Sequence, residues 1–431
     1  MTKNAPKQSA PPVRIQSLSY GRYGVGRQGG RVVLVELTAP GDEAEIKIIE
    51  ERKNYATAEL VRLVRPSAQR QDPPCRYFPA CGGCPWQHIA YRHQLAAKED
   101  AVREALRRIG GISEPPLAPI VASPGEYHYR RRVRLQRDAA GRVGFHRAAS
   151  REVVEIEHCL IADPELNRRL AGARLWAGLL ATAVKTIEIV RGDRGSRTVF
   201  VGTAAGRFVA ADERVSTRWL AAHPEVSGIV LRGPGWRRAW GEIKVSIATA
   251  DDLALAVDAD VFSQVNPVVS QALAQTLVRW GDFQKSDRVL ELYCGAGNFT
   301  LPVARRAGCV YAVERDRLAL ENARANARLH GLQNIEWIGG DVHEVAARLD
   351  RERQVFSRLV LDPPRAGAKD IDLSRLGADT ILYVSCDPAT LARDLAALQR
   401  SGYALARVQP FDLFPQTFHV EVLAEIKRAA A

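Results

Sequence analysis

The sequence predicts a multidomain α/β protein. A small N-terminal β-barrel leads into a mixed α+β middle and then a doubly wound, mostly parallel sheet. Three observations carry this expectation. Residues 13–66 hold short β-branched runs separated by glycine-rich turns. From about residue 270, strand-like and helical runs alternate. Between these regions, three cysteines crowd into the stretch 75–84.

The barrel is expected over 12–66. The runs "RVVLVEL" (31–37), "EAEIKIIEE" (43–51) and "YATAELVRLV" (55–64) alternate in the period of half-buried strands. "GRYGVGRQGGR" and "APGDE" read as turns. Short strands at this spacing suit a barrel of the OB type, a fold that binds single-stranded nucleic acid. Arg14, Arg22, Arg27 and Arg31 would line that face, or form a solvated basic surface. "RPSAQRQDPP" (65–74) is a polar linker, and the middle region is expected over 67–262. A helix over 91–111 ends in glycines and could pack on the following domain. Residues 115–262 read as short strands and turns, with a basic run "YHYRRRVRLQR" at 127–137. The last domain is expected over 263–431.

Composition narrows the partner. The formal net charge of +12 favours a polyanion, most simply RNA or DNA, over a merely basic enzyme. The first residues, "MTKNAPKQSAPP", lack the apolar core of a secretory signal and read as a short disordered tail. No run of ~18 apolar residues suggests a membrane span. A cytoplasmic protein follows, and with seven cysteines in a reducing compartment disulfides are not expected.

"ELYCGAGNFTLPVA" (291–304) ends a predicted strand and opens a helix. Gly295 and Gly297 let backbone approach a ligand closely. Glu314 follows Gly295 by 19 residues, the place from which a carboxylate grips ribose hydroxyls. Where a dinucleotide fold uses a third glycine, this chain has Thr300. Glu291, Glu314, Asp341 and Asp362 fall at or just after successive strand ends. Such acids suit the sulfonium of S-adenosylmethionine, and three of the four are expected to face the ligand. "LDPPRAG" (361–367) resembles the loop of amino-methylating enzymes, but Arg365 replaces the aromatic that stacks on a flipped base.

Cys386 lies in "LYVSCDPATLARD" (382–394), at the tip of the fifth strand of this domain. A thiolate beside a methyl donor can add to pyrimidine C6 and make C5 nucleophilic. A base must then remove the C5 proton. Glu421, on the otherwise apolar "FHVEVLAEIK", is the candidate base, because a buried carboxylate is costly without a purpose. The other site is "CRYFPACGGCPWQH" (75–88), a C-x5-C-x2-C hook formed by Cys75, Cys81 and Cys84. Cys159 is the uncommitted cysteine of the middle region. Four thiolates suit zinc or an iron–sulfur cluster, and three plus one distant cysteine favours [4Fe–4S].

These motifs, with "FSQVNP" (262–267), "VSCDPATLARDL" and "FPQTFHVEVLA", resemble those of the bacterial RNA (uracil-5-)-methyltransferases that act on 23S ribosomal RNA and carry an N-terminal TRAM barrel. The likeness runs from about residue 12 to the end. It implies a Rossmann-like class I methyltransferase domain and a [4Fe–4S] cluster on Cys75, Cys81, Cys84 and Cys159. It also implies Cys386 as nucleophile, Glu421 as base, and donor contacts from Gln264, Tyr293, Asn298, Glu314, Asp341 and Asp362. The implied reaction is methyl transfer from S-adenosylmethionine to C5 of one 23S uridine, uracil-1939, by a monomer. The same chemistry on another ribosomal or transfer RNA uridine is the alternative. A non-catalytic iron–sulfur RNA-binding protein would not need Cys386, Glu421 and the acid series together.

Overall fold

The computed structural model describes residues 11–193, 195 and 197–429. The first ten positions of the expected N-terminal tail lie outside the described residues. Strands β1 (Val13–Leu18), β2 (Tyr23–Gln28), β3 (Arg31–Glu36), β4 (Glu43–Glu51) and β5 (Tyr55–Arg65) close a barrel in the order β1-β2-β3-β5-β4. Alternate residues Val13, Ile15, Val33, Val35 and Ala58 fill it. The expectation that "GRYGVGRQGGR" is all turn needs correction, because Tyr23–Gln28 is a strand. Its glycines serve close packing: a Cβ on Gly24 would collide with Thr38 and Ile15, and one on Gly26 with Val13.

Helix α1 (Tyr91–Arg108) follows the cysteine-bearing loop. The middle region contains β6 (Arg132–Arg137), β7 (Val143–His146), β8 (Val153–Glu155), α2 (Pro164–Leu179), β9 (Val184–Arg191), β10 (Thr198–Ala204), α3 (Ala211–Ala222), β11 (Val226–Gly233) and β12 (Trp236–Gly241). Its strands form one sheet, β12-β11-β10-β9-β6-β7-β8. α2 buries Leu166, Leu170 and Trp176 against Phe200 and Ile229. This helix was not apparent in the sequence: Leu175 and Leu179 also point to solvent, so its apolar residues show no single stripe.

A hairpin, β13 (Lys244–Ala248) and β14 (Ala254–Asp258), precedes α4 (Pro267–Gly281). The C-terminal domain then runs β15 (Arg288–Leu292), α5 (Thr300–Ala304), β16 (Cys309–Glu314), α6 (Arg317–Leu329), β17 (Ile335–Gly339), α7 (Val342–Arg351), β18 (Arg358–Leu361), β19 (Thr380–Ser385), α8 (Pro388–Arg400), β20 (Tyr403–Phe411) and β21 (Glu421–Arg428). The sheet order is β17-β16-β15-β18-β19-β21-β20, with β15 to β19 parallel and the last two strands antiparallel. Every residue of β19 is buried, as a strand covered on both faces requires. Strand order reverses at β15, opening a crevice outside the carboxyl ends of the strands, where ligands of such sheets bind.

Two features tie the preceding elements to this sheet. Asn322 and Asn326 of α6 accept hydrogen bonds from Asp258 N and Ala256 N of β14, at 2.9 and 2.8 Å. α1 lays Val102 and Leu106 into the core that also holds Leu391 and Leu395 of α8. On α1, the buried Lys98 Nζ meets Asp412 Oδ1 at 2.5 Å, and Tyr91 Oη donates to Asp412 Oδ2 at 2.8 Å.

Candidate active site

The crevice, lined by both Cys386 and Glu421, has a volume of about 670 Å³. The strand ends of the parallel sheet form much of its wall. After β15 the chain turns through Tyr293, held at φ 65°, and Gly297, at φ 95°. A Cβ on Gly297 would strike Leu301, so the loop can hug the first turn of α5 only as glycine. Glu314, at the end of β16, accepts hydrogen bonds from Gly295 N at 2.9 Å and Asp316 N at 2.7 Å. These fix the carboxylate and leave lone pairs for a ligand. Asp341 caps α7 through His343 N and also lines the crevice. Asp362 follows β18, and burial pushes its carboxyl up to about 7.

All six residues expected to contact the donor line this crevice: Gln264, Tyr293, Asn298, Glu314, Asp341 and Asp362. Glu291 does not. It sits within β15, 2 % exposed, with Oε2 unpartnered among the described residues and burial raising its carboxyl to about 8. Gln264 belongs to a loop whose next residues explain "NP": Asn266 caps α4 and Pro267 opens it. Arg131 holds the same loop, donating from Nε to Gln264 O at 2.8 Å while pairing with Asp193.

Cys386 immediately follows β19. Asp387 then caps α8 by accepting from Ala389 N and Thr390 N, and Pro388 starts the helix. The thiol therefore sits at a sharp strand-to-helix turn in the crevice wall. Burial, then the carboxylates of Glu421 and Asp362, raise its pKa to about 11, while Arg365 opposes them. Glu421 opens β21, 3 % exposed, with one oxygen unpartnered among the described residues. Burial and then Asp362 raise it well above the usual carboxylate range. Two carboxyls and a thiol so placed can exchange protons with a ring inserted among them.

Three further groups were missed, one lining this crevice and two behind its wall. Arg365 was read only as a missing aromatic, yet it lines the crevice as a cation that acts on Cys386 and Glu421. His419 stands 3.4 Å from it, and burial together with Arg365 lowers its imidazole to about 4. Tyr20 arrives from the barrel, and no local sequence signal distinguishes it.

Cys75, Cys81, Cys84 and Cys159 line one separate cavity of about 660 Å³. Asn167 of α2 clamps the Cys159 backbone, accepting from its N at 2.8 Å and donating to its O at 3.0 Å. Burial raises the Cys81 thiol, and raises Cys159 to about 11. Among the described residues no group of three His, Cys, Asp or Glu side chains stands close enough to hold a metal. The donor set nonetheless fits a group bound by four thiolates, since both segments converge on this cavity. His88 turns away, its Nε2 3.2 Å from Thr38 O of the barrel, whereas His158 lines the cavity.

The basic run is in part internal. Arg131 is 4 % exposed, and Arg132 pairs with Glu188 while donating to Ala259 O and Val261 O. On the barrel, Arg22 pairs with Glu36 and Arg31 with Glu51.

Comparison with known proteins agrees with this geometry. Residues 245–428 match the tRNA (uracil-5-)-methyltransferase family and residues 11–61 the TRAM domain. A 23S rRNA (uracil(1939)-C(5))-methyltransferase of Aeromonas salmonicida is 33% identical over 97% of this chain and 97% of its own. An RNA methyltransferase of Synechocystis is 32% identical over 97% and 96%. The tRNA (uracil-54, C5)-methyltransferase of Pyrococcus abyssi, solved with S-adenosyl-L-homocysteine, shares the fold, with a TM-score of 0.71 and 24% identity over 96% of this chain and 100% of that one. A sheet of this order with a glycine loop and strand-end acids defines an S-adenosylmethionine-dependent methyltransferase. The chain belongs to the RNA uracil-C5 methyltransferase family, with a TRAM barrel at its N-terminal side.

Proposed function

We propose that this enzyme methylates C5 of uracil-1939 in 23S ribosomal RNA. The observation that carries the chemistry is Cys386 and Glu421 opening onto the same crevice as the glycine loop and its acids. Cys386 Sγ, as thiolate, adds to C6 of the uracil. The electron pair of the C5–C6 bond moves to C5, which takes the methyl group and releases S-adenosylhomocysteine. Glu421 then removes the C5 proton, the double bond reforms, and the thiolate leaves. Gln264, Tyr293, Asn298, Glu314, Asp341 and Asp362 hold the donor.

Relatives named for uracil-1939, similar over nearly the whole chain, support the ribosomal target. The likeness in fold to an enzyme named for a transfer RNA uracil keeps a second reading in view: the same chemistry on another RNA uridine. Mass mapping of 5-methyluridine in 23S and transfer RNA from cells with and without the gene decides. Loss at position 1939 alone is expected; loss only in transfer RNA overturns the ribosomal target.

Cys75, Cys81, Cys84 and Cys159 hold a [4Fe–4S] cluster in this reading, supported by their shared cavity. Four thiolates leave no iron open, so the group braces the fold and supplies no reaction step. About four irons per chain are expected from such ligation; stoichiometric zinc would overturn it. The enzyme works as a cytoplasmic monomer of three units, over 12–66, 67–262 and 263–431. Among the described residues no helix is long and apolar enough to cross a membrane.

A further inference from the structure

The turn between β1 and β2 leaves the barrel and enters the catalytic domain. Its Tyr20 donates from Oη to the backbone carbonyl of Cys386, at 2.9 Å and across 366 residues of sequence. β19 pairs with β21 only as far as Ser385 opposite Val422. The Cys386 carbonyl lies one residue past that ladder, and the phenol supplies the donor. The next peptide is fixed independently: Asp387 N donates to Ser385 Oγ at 3.2 Å, and the Asp387 carboxylate caps α8.

Tyr20 is itself firmly held. Its ring stands edge-on to Phe418, with centroids 5.7 Å apart. Trp86 donates from Nε1 to Gly21 O at 3.1 Å, and from its backbone N to Gln416 O at 3.1 Å. Leu18 packs with Trp86 and Phe418 in one small core. The turn is thus pinned between the cysteine-bearing loop and the loop that leads to Glu421.

We infer that Tyr20 is a positioning residue for the Cys386 thiol, so that the barrel completes the active site and is not only an RNA-binding surface. This rests on Cys386 being the nucleophile. Addition to C6 needs sulfur on a narrow approach line, and small misplacements at a reacting atom cost up to ~10²-fold in rate. With the carbonyl released, the Cys386 peptide can rotate and carry Cα–Cβ off that line.

The test is Tyr20→Phe in the full-length enzyme, which removes one oxygen and keeps the ring on Phe418. Single-turnover formation of the covalent complex with 5-fluorouridine RNA, in the presence of S-adenosylmethionine, is measured beside RNA affinity and the melting temperature. Loss of one hydrogen bond of ordinary strength should slow complex formation about tenfold. Affinity and melting temperature should stay near wild type. Complex formation at the wild-type rate overturns the proposal. A slower rate wholly matched by weaker RNA binding also overturns it, because Tyr20 would then act through capture. Cys386→Ala run in parallel separates the two ideas. A heat-stable complex in that variant sinks the nucleophile assignment itself. No complex there, with Tyr20→Phe unimpaired, sinks only the role of Tyr20.

Discussion

At the scale of residues, the site is a set of groups whose charges the fold keeps low. Burial, and then the neighbouring Glu421 and Asp362 carboxyls, push the Cys386 thiol up to about 11. The rate of complex formation with 5-fluorouridine RNA should therefore climb from pH 7 to pH 10, about tenfold per unit while the thiol stays mostly protonated. A flat profile would mean that bound RNA lowers this pKa before addition. Glu421→Gln removes the proposed base and should leave addition and methyl transfer intact. Labelled methyl group should then accumulate in a covalent protein–RNA band on a denaturing gel, and normal turnover would move the base elsewhere, with Asp362 next. Much of this site was legible in sequence. Cys386 stood out because Asp-Pro after a strand announces a capped helix, and Glu421 because a carboxylate interrupted an apolar run. Tyr20 and His419 were not legible, since their relation to Cys386 and Arg365 exists only after distant segments meet.

At the scale of elements, regular periods were readable and compensated charges were not. Strands β15 to β19 carried clear apolar runs, whereas the arginines of 127–137 looked like an RNA surface and are in part internal struts. Their partners, Asp193 and Glu188, are far off in sequence. α1 poses the same problem: nothing local in the sequence marks its Lys98 as a charge fully buried against Asp412. Lys98→Ala should lower stability by about 3–5 kcal/mol, because it strands a buried carboxylate. Lys98→Met with Asp412→Leu should recover most of that loss. Urea unfolding of the three proteins checks this, and equal loss in the single and double variants would show that packing, not charge, dominates.

At the scale of the whole molecule, the net charge of +12 still favours RNA, but many arginines already have protein partners. Log K against log salt should fall with a slope of roughly −0.7 per phosphate neutralised on single strands. A flat response would make the basic residues bystanders. Acid should loosen the seams between units. Burial lowers both His88 and His419 from 6.5 to about 4. The unfolded chain then binds protons more readily, so this stability is full above pH 6.5 and drains away as pH falls toward 4. His88→Gln should flatten the fall of the melting temperature over that window; an unchanged slope would absolve His88. One arrangement also bears on how the enzyme is made. β21 slots between β19 and β20, although it follows both in the chain. The strand bearing Glu421 thus enters the sheet from the far end of the sequence, and α1 and Tyr20 contact segments more than 300 residues downstream of them. A ribosome releases such a chain from its N-terminal end, so α1 must wait with its apolar face uncovered until α8 and β20 have emerged. Catalytic competence, on this topology, arrives only once β21 has been translated, and a product ended before it would be sticky and inert.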